Sequence, residues 1–179
     1  AGDDEWNRML DTLSKGIQTD GIKFSFEYQT YDDSAWFHLT PPKARDMISH
    51  LPITCSSLTI ELGEREIAES LLEGVVEYLK KAENLKELNF RWNNMFDAEK
   101  SQSAGTKLAK VLADSSIGEQ IEHVRITESG FITADNISVW ETTLKQMKAL
   151  KTLDAYSMEL SEEDMEVIKE AAHTSDITF

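Results

Sequence analysis

The side chains best able to do chemistry near neutral pH are four histidines, His38, His50, His123 and His173, scattered along the chain. No two of them stand at i, i+4, the spacing that brings a pair to one helix face as zinc ligands. Cys55 is the single cysteine, and cysteine catalysis needs a thiolate with a base beside it. Cys55 instead stands three residues before the apolar pair Leu58 and Ile60, a place where cysteine serves as a small hydrophobe. Neither GxxxxGK[ST] nor GxGxxG occurs, so no phosphate-cradling loop is expected. Carboxylates are plentiful, 33 Asp and Glu against 18 Lys and Arg, and pairs of them therefore arise by chance. Glu64, Glu66, Glu69, Glu73 and Glu77 follow helical spacing and read as a solvated helix face. The sequence thus predicts no enzyme, no cofactor and no metal site.

Any other activity has to come from the surface that the regular elements present. Six stretches carry the alternation of a strand, in which every second side chain faces one way. They are Ile22–Tyr28, Ser57–Leu62, Leu85–Arg91, Ile121–Thr127, Leu150–Tyr156 and Asp176–Phe179. Between them lie helical patterns. Glu5–Ile17 aligns Trp6, Met9, Leu10, Leu13 and Ile17. A second helix follows Thr40-Pro41-Pro42, since proline suits a first turn, and carries Ala44, Met47, Ile48 and Leu51. Glu66–Lys81, Ala104–Ala113 and Ala134–Met147 are the next three, with Ile117-Gly118 read as a break. The last begins at Ser161-x-x-Asp164, a capping box with Asp in place of Glu. Trp36–Leu39 is read as a short extended piece. Asn136-Ile137-Ser138 has the form of a glycosylation sequon but falls in a helical pattern.

If the apolar pair of each strand points inward, the residues between point to an open face. These are Ser57, Thr59 and Glu61, then Glu87, Asn89 and Arg91, then His123, Arg125 and Thr127, then Thr152, Asp154 and Tyr156. The expected ribbon sets Arg91 beside Arg125, with Asp154 and Tyr156 next along. Arg and Tyr are enriched where interfaces concentrate their energy. The candidate partner-binding residues are therefore Arg91, Asn89, Arg125, His123, Asp154 and Tyr156. Trp92 and Phe131, in adjoining loops, are candidate further contacts, with loop packing as their other reading.

The strand pairs recur with a loose period of about thirty residues, each interval holding a helix, which is the signature of a stacked-repeat architecture. LKELNFRWN at Leu85–Asn93, AGTKLAKVLADSS at Ala104–Ser116, IEHVRI at Ile121–Ile126 and LKTLDAYSMEL at Leu150–Leu160 resemble leucine-rich repeats of the ribonuclease-inhibitor-like kind. The resemblance is good from Cys55 to Ala172 and poor before that. The family's asparagine is present only at Asn93, with Ser129 and Met158 at the equivalent places. It implies an α/β solenoid with a curved parallel sheet on the concave side and helices on the convex side. The whole chain, 1–179, would form one domain of about five to six βα units, irregular over 1–54 and more regular over 55–179. Doubly wound α/β is the competing fold, but its strands are usually continuous apolar runs.

The resemblance also implies a protein-interaction module that binds a partner through the concave face and adjoining loops. An α/β enzyme with an unrecognised site and a structural spacer are the alternatives. Solenoids need capping repeats, and this chain opens inside a helical pattern and closes on an apolar strand. A repeat domain cut from a longer protein, or a domain whose final strand pairs elsewhere, is therefore expected, with a nucleotide-binding leucine-rich-repeat receptor as one parent by analogy. The net charge of -15 argues against nucleic acid or an anionic membrane as partner. A lone cysteine favours a reducing, cytoplasmic setting.

Overall fold

The computed structural model describes residues 3–16, 21–26, 41–62, 65–92, 98–127, 129–156 and 158–179. Its elements are α1 (Asp3–Gly16), β1 (Gly21–Phe26), α2 (Pro41–Ser49), β2 (Ser57–Leu62), α3 (Arg65–Leu79) and β3 (Glu87–Trp92). There follow α4 (Ala98–Leu112), α5 (Ser115–Gly118), β4 (His123–Arg125), α6 (Ile137–Gln146), β5 (Thr152–Asp154), α7 (Glu162–Ala171) and β6 (Ile177–Thr178). The fold is α/β. The six strands form one sheet in the order β1-β2-β3-β4-β5-β6, and every neighbouring pair is parallel. A helix in each interval returns the chain so that the next strand can run the same way. The extended piece expected at Trp36–Leu39 and the asparagine at Asn93 lie outside the described residues.

Strand entry repeats a backbone pattern. The carbonyl of Ser56 accepts from the N–H groups of both Lys86 and Glu87, at 2.8 and 3.0 Å. Lys86 does the same for Glu122 and His123, at 2.8 and 2.9 Å, and Glu122 for Lys151 and Thr152, at 2.7 and 3.2 Å. Register follows from these entries: Leu58, Leu88 and Val124 lie side by side, and Leu153 continues the row. All four are buried, as is Cys55. Period-two alternation then leaves Asn89 half-buried and Arg91 exposed on the opposite face.

The helices pack in series, α2 on α3, α3 on α4, α4 on α6 and α6 on α7, and together with the strand apolar residues they enclose one core. Tyr78 and Trp140 are its largest members, both fully buried, and each places its polar atom on a backbone carbonyl. Tyr78 Oη donates to Pro52 O at 2.9 Å and Trp140 Nε1 to Phe131 O at 2.9 Å. Burial pushes the Cys55 thiol up from its ordinary value, an effect partly offset by the neighbouring Tyr78 hydroxyl. A raised thiol carries little thiolate at neutral pH.

Several boundaries differ from the sequence reading. α4 begins at Ala98 rather than Ala104, because its first turns are polar and show no apolar period. The expected break at Ile117-Gly118 is instead the short helix α5. Asp114 caps it, accepting from Ser116 N–H at 3.0 Å and from Ser116 Oγ at 2.6 Å. α6 starts three residues later than Ala134. Met9, placed on the inner face of α1, is 41% exposed, while Trp6 and Leu10 are buried. At α7 Ser161 Oγ accepts from Asp164 N–H at 3.1 Å and donates to the Asp164 carboxylate at 2.8 Å. The shorter Asp thus bonds the capping hydroxyl instead of reaching the Ser161 N–H.

Candidate functional site

Two rows of the open sheet face cross most of its strands. One runs Thr59, Asn89, Arg125, Asp154, Thr178, and the other Ser57, Glu87, His123, Thr152. Parallel strands stand ~4.8 Å apart, so members of a row are within reach of one another. Asn89 Nδ2 donates to Thr59 Oγ1 at 3.1 Å and to Glu87 Oε1 at 2.8 Å. His123 Nδ1 and Thr152 Oγ1 share a hydrogen bond of 2.8 Å. Arg125 Nε donates to Asp154 Oδ2 at 2.9 Å. The other oxygen of Asp154 accepts from the Tyr156 N–H at 3.2 Å, fixing the turn from which the Tyr156 ring projects, 57% exposed.

Five of the six candidate partner-binding residues, Asn89, His123, Arg125, Asp154 and Tyr156, are thus tied into this face by bonds that cross or extend its strands. The expected pairing of Arg91 with Arg125 is corrected by the register. Leu88 aligns with Val124, so Asn89 is the neighbour of Arg125, and Arg91 aligns with Glu61 one row further along. Like charges are therefore not set side by side.

The loop contacts also divide. The Trp92 side chain lies outside the described residues. Phe131 is fully buried and packs edge-on against Phe90, with ring centroids 5.7 Å apart at 64°. Its candidate role as a direct contact is corrected to core packing, because its ring contributes to the core of the molecule rather than to its surface.

What the sequence reading missed is the polar knot that fixes this loop. Ser129 Oγ donates to Ile126 O at 2.7 Å and accepts from Phe131 N–H at 3.3 Å. A single serine side chain thus ties the backbone on both sides of the turn after β4. Gly130 takes a positive φ of 64° between them, a conformation glycine adopts without steric cost. Asn136, 2% exposed, accepts from Thr133 N–H at 2.8 Å. Its amide donates to Phe131 O at 2.8 Å, to Thr106 Oγ1 at 3.2 Å and to Gln102 O at 3.3 Å. The sequon asparagine is therefore a buried structural group. Ser-Gly-Phe followed by Asn was the visible signal.

At the edge of the face Glu122 lies 3.0 Å from Lys151 Nζ and 3.9 Å from Lys86 Nζ. The Lys151 bond, aided by the charge of Lys86, holds its carboxyl below the ordinary value of 4.5. Among the described residues no group of three or more His, Cys, Asp or Glu could hold a metal ion, and no helix is long and apolar enough to cross a membrane. The arrangement can hold a polar partner surface: it offers guanidinium and amide donors, carboxylate acceptors and an exposed phenol ring. No protein-family model, curated protein or solved structure matches the chain.

Proposed function

We propose that this chain is a leucine-rich-repeat-like solenoid that holds a protein partner on the open, concave face of its sheet. The sequential parallel strand order, the serial helix packing and the recurring strand-entry carbonyl support the repeat reading. The observation that carries the binding reading is the set of cross-strand bonds on Asn89, His123 and Arg125, with Tyr156 exposed beside them. Side chains already held in place lose less freedom on association. The Arg125–Asp154 bond uses Nε and leaves further guanidinium N–H groups for a partner carboxylate, while Tyr156 offers a flat ring to an apolar or aromatic group. Binding rather than catalysis is favoured because the one nucleophilic thiol is buried and raised. The buried lone cysteine also fits a cytoplasmic setting.

The test is affinity capture from lysate with the wild type, followed by titration of the captured partner against an Arg125→Ala/Tyr156→Ala variant. Neither side chain supports the core, so the variant should fold normally by circular dichroism. Binding should weaken by ~2 kcal/mol or more if both are hot spots. Full affinity in the folded double variant would remove the open face from consideration.

A further inference from the structure

A second surface lies on the helical side. α3 and α4 flank a groove of about 580 Å3, within the size range of ligand-binding clefts. Leu72, Val76, Ala104 and Val111 form its floor. On its other side α3 packs closely on α2, where a Cβ at Gly74 would meet Arg45 O at 2.9 Å.

The walls differ in charge. On the α3 side Glu73 and Glu77 are both engaged by Arg45 of α2, which offsets one of their two charges, and Lys80 lines the same side. On the α4 side Lys107 and Lys110 line the groove and make no ion pair among the described residues. In all, five cationic and four carboxylate side chains line it, in a chain whose net charge is -15. The lining thus carries one cation in excess on an acidic molecule, with Lys107 and Lys110 on its α4 wall above an apolar floor.

We propose that the α3/α4 groove docks an amphipathic helix of a partner protein whose apolar stripe meets this floor and whose acidic edge meets Lys107 and Lys110. A cleft between two helices running the same way accepts a third helix lengthwise, with anchors at i, i+3 or i+4, and i+7. From Glu69 to Lys80 along α3 the groove spans ~16 Å at 1.5 Å per residue, room for about three turns. The Glu69–Lys100 ion pair, 3.9 Å long, crosses the groove at the end where both helices begin and limits the occupant there. The charge asymmetry selects against a basic-edged helix, for which the two lysines would be repulsive.

The test uses two fluorescein-labelled helical peptides, both with Leu at i, i+4 and i+7, one with Glu and the other with Lys along the same edge. In fluorescence anisotropy the Glu-edged peptide should bind about ten-fold tighter than the Lys-edged one, and more weakly as salt rises. A Lys107→Glu/Lys110→Glu variant, whose changes are on exposed side chains, should invert that preference. The Arg125→Ala/Tyr156→Ala variant should bind the Glu-edged peptide unchanged, since its substitutions lie on the other face. Absence of binding, equal affinity for both peptides, or a preference that survives the charge reversal would each overturn the proposal.

Discussion

Gly105→Ala tests the packing that holds the loop after β4. Gly105 lies inside α4, where alanine is intrinsically favoured over glycine by ~1 kcal/mol. Propensity alone therefore expects a more stable protein. The structure expects the opposite. A Cβ at this position would lie 2.0 Å from Phe131 O and 2.5 Å from both Phe131 C and Cα. These are backbone atoms, and they must retreat by more than ~1 Å to restore van der Waals contact. The Phe131 carbonyl is held by Asn136 Nδ2 and Trp140 Nε1, so moving it takes two buried donors out of range. Each costs about 1–3 kcal/mol when left unsatisfied. Set against the helical gain, the net loss is on the order of 3 kcal/mol. With a urea slope of ~2 kcal/mol/M for a chain of this size, the midpoint should fall by ~1.5 M, followed by tryptophan fluorescence. An Asn136→Ala variant supplies the control. If the carbonyl is what moves, the two substitutions share a bond and their effects should be less than additive. An unchanged or raised midpoint for Gly105→Ala would refute the reasoning.

Two further outcomes follow from buried and paired groups. Cys55 should react with a thiol reagent only as fast as the protein opens, and denaturant should accelerate labelling sharply; rapid stoichiometric labelling of the native protein would count against a core role. Glu122 has its folded carboxyl below 4.5, so the stability it contributes is complete above that value and is lost as pH falls through the folded one. The difference in urea midpoint between wild type and Glu122→Gln should therefore shrink between pH 6 and pH 3, and a constant difference would show that the lysine pairing does not stabilise the fold.

The strand pairs were legible in the sequence because burial on one face imposes an alternation that a one-residue slip would destroy. Leu88 and Phe90 against Asn89 and Arg91 is the clearest case. The neighbour relations across the face were less legible. Which residue stands beside Arg125 depends on register, and register is set by backbone bonds at Ser56, Lys86 and Glu122, where side-chain type carries little signal. Helix starts were misplaced where the first turn is polar, as at Ala98, or where an asparagine is drawn into the core, as at Asn136. α5 was missed because four residues are too few to show a period, although Asp114 two residues before Ser116 has the spacing of a cap. The groove was invisible, since no residue type marks where two neighbouring helices leave a gap between them.

The strand order has a kinetic consequence. Every hydrogen-bonded strand pair joins neighbours in sequence, so the chain to be looped between partners is always about thirty residues, and closing such a loop costs nearly the same entropy each time. Once one pair has formed, adding the next repeats the same step instead of a longer search. Contacts of constant, modest sequence separation favour fast folding over what all-β pairing of distant segments allows. In reverse, a chain pulled or digested from one end should give up its strands in the order in which they were synthesised or the opposite order, each step releasing a segment of similar length.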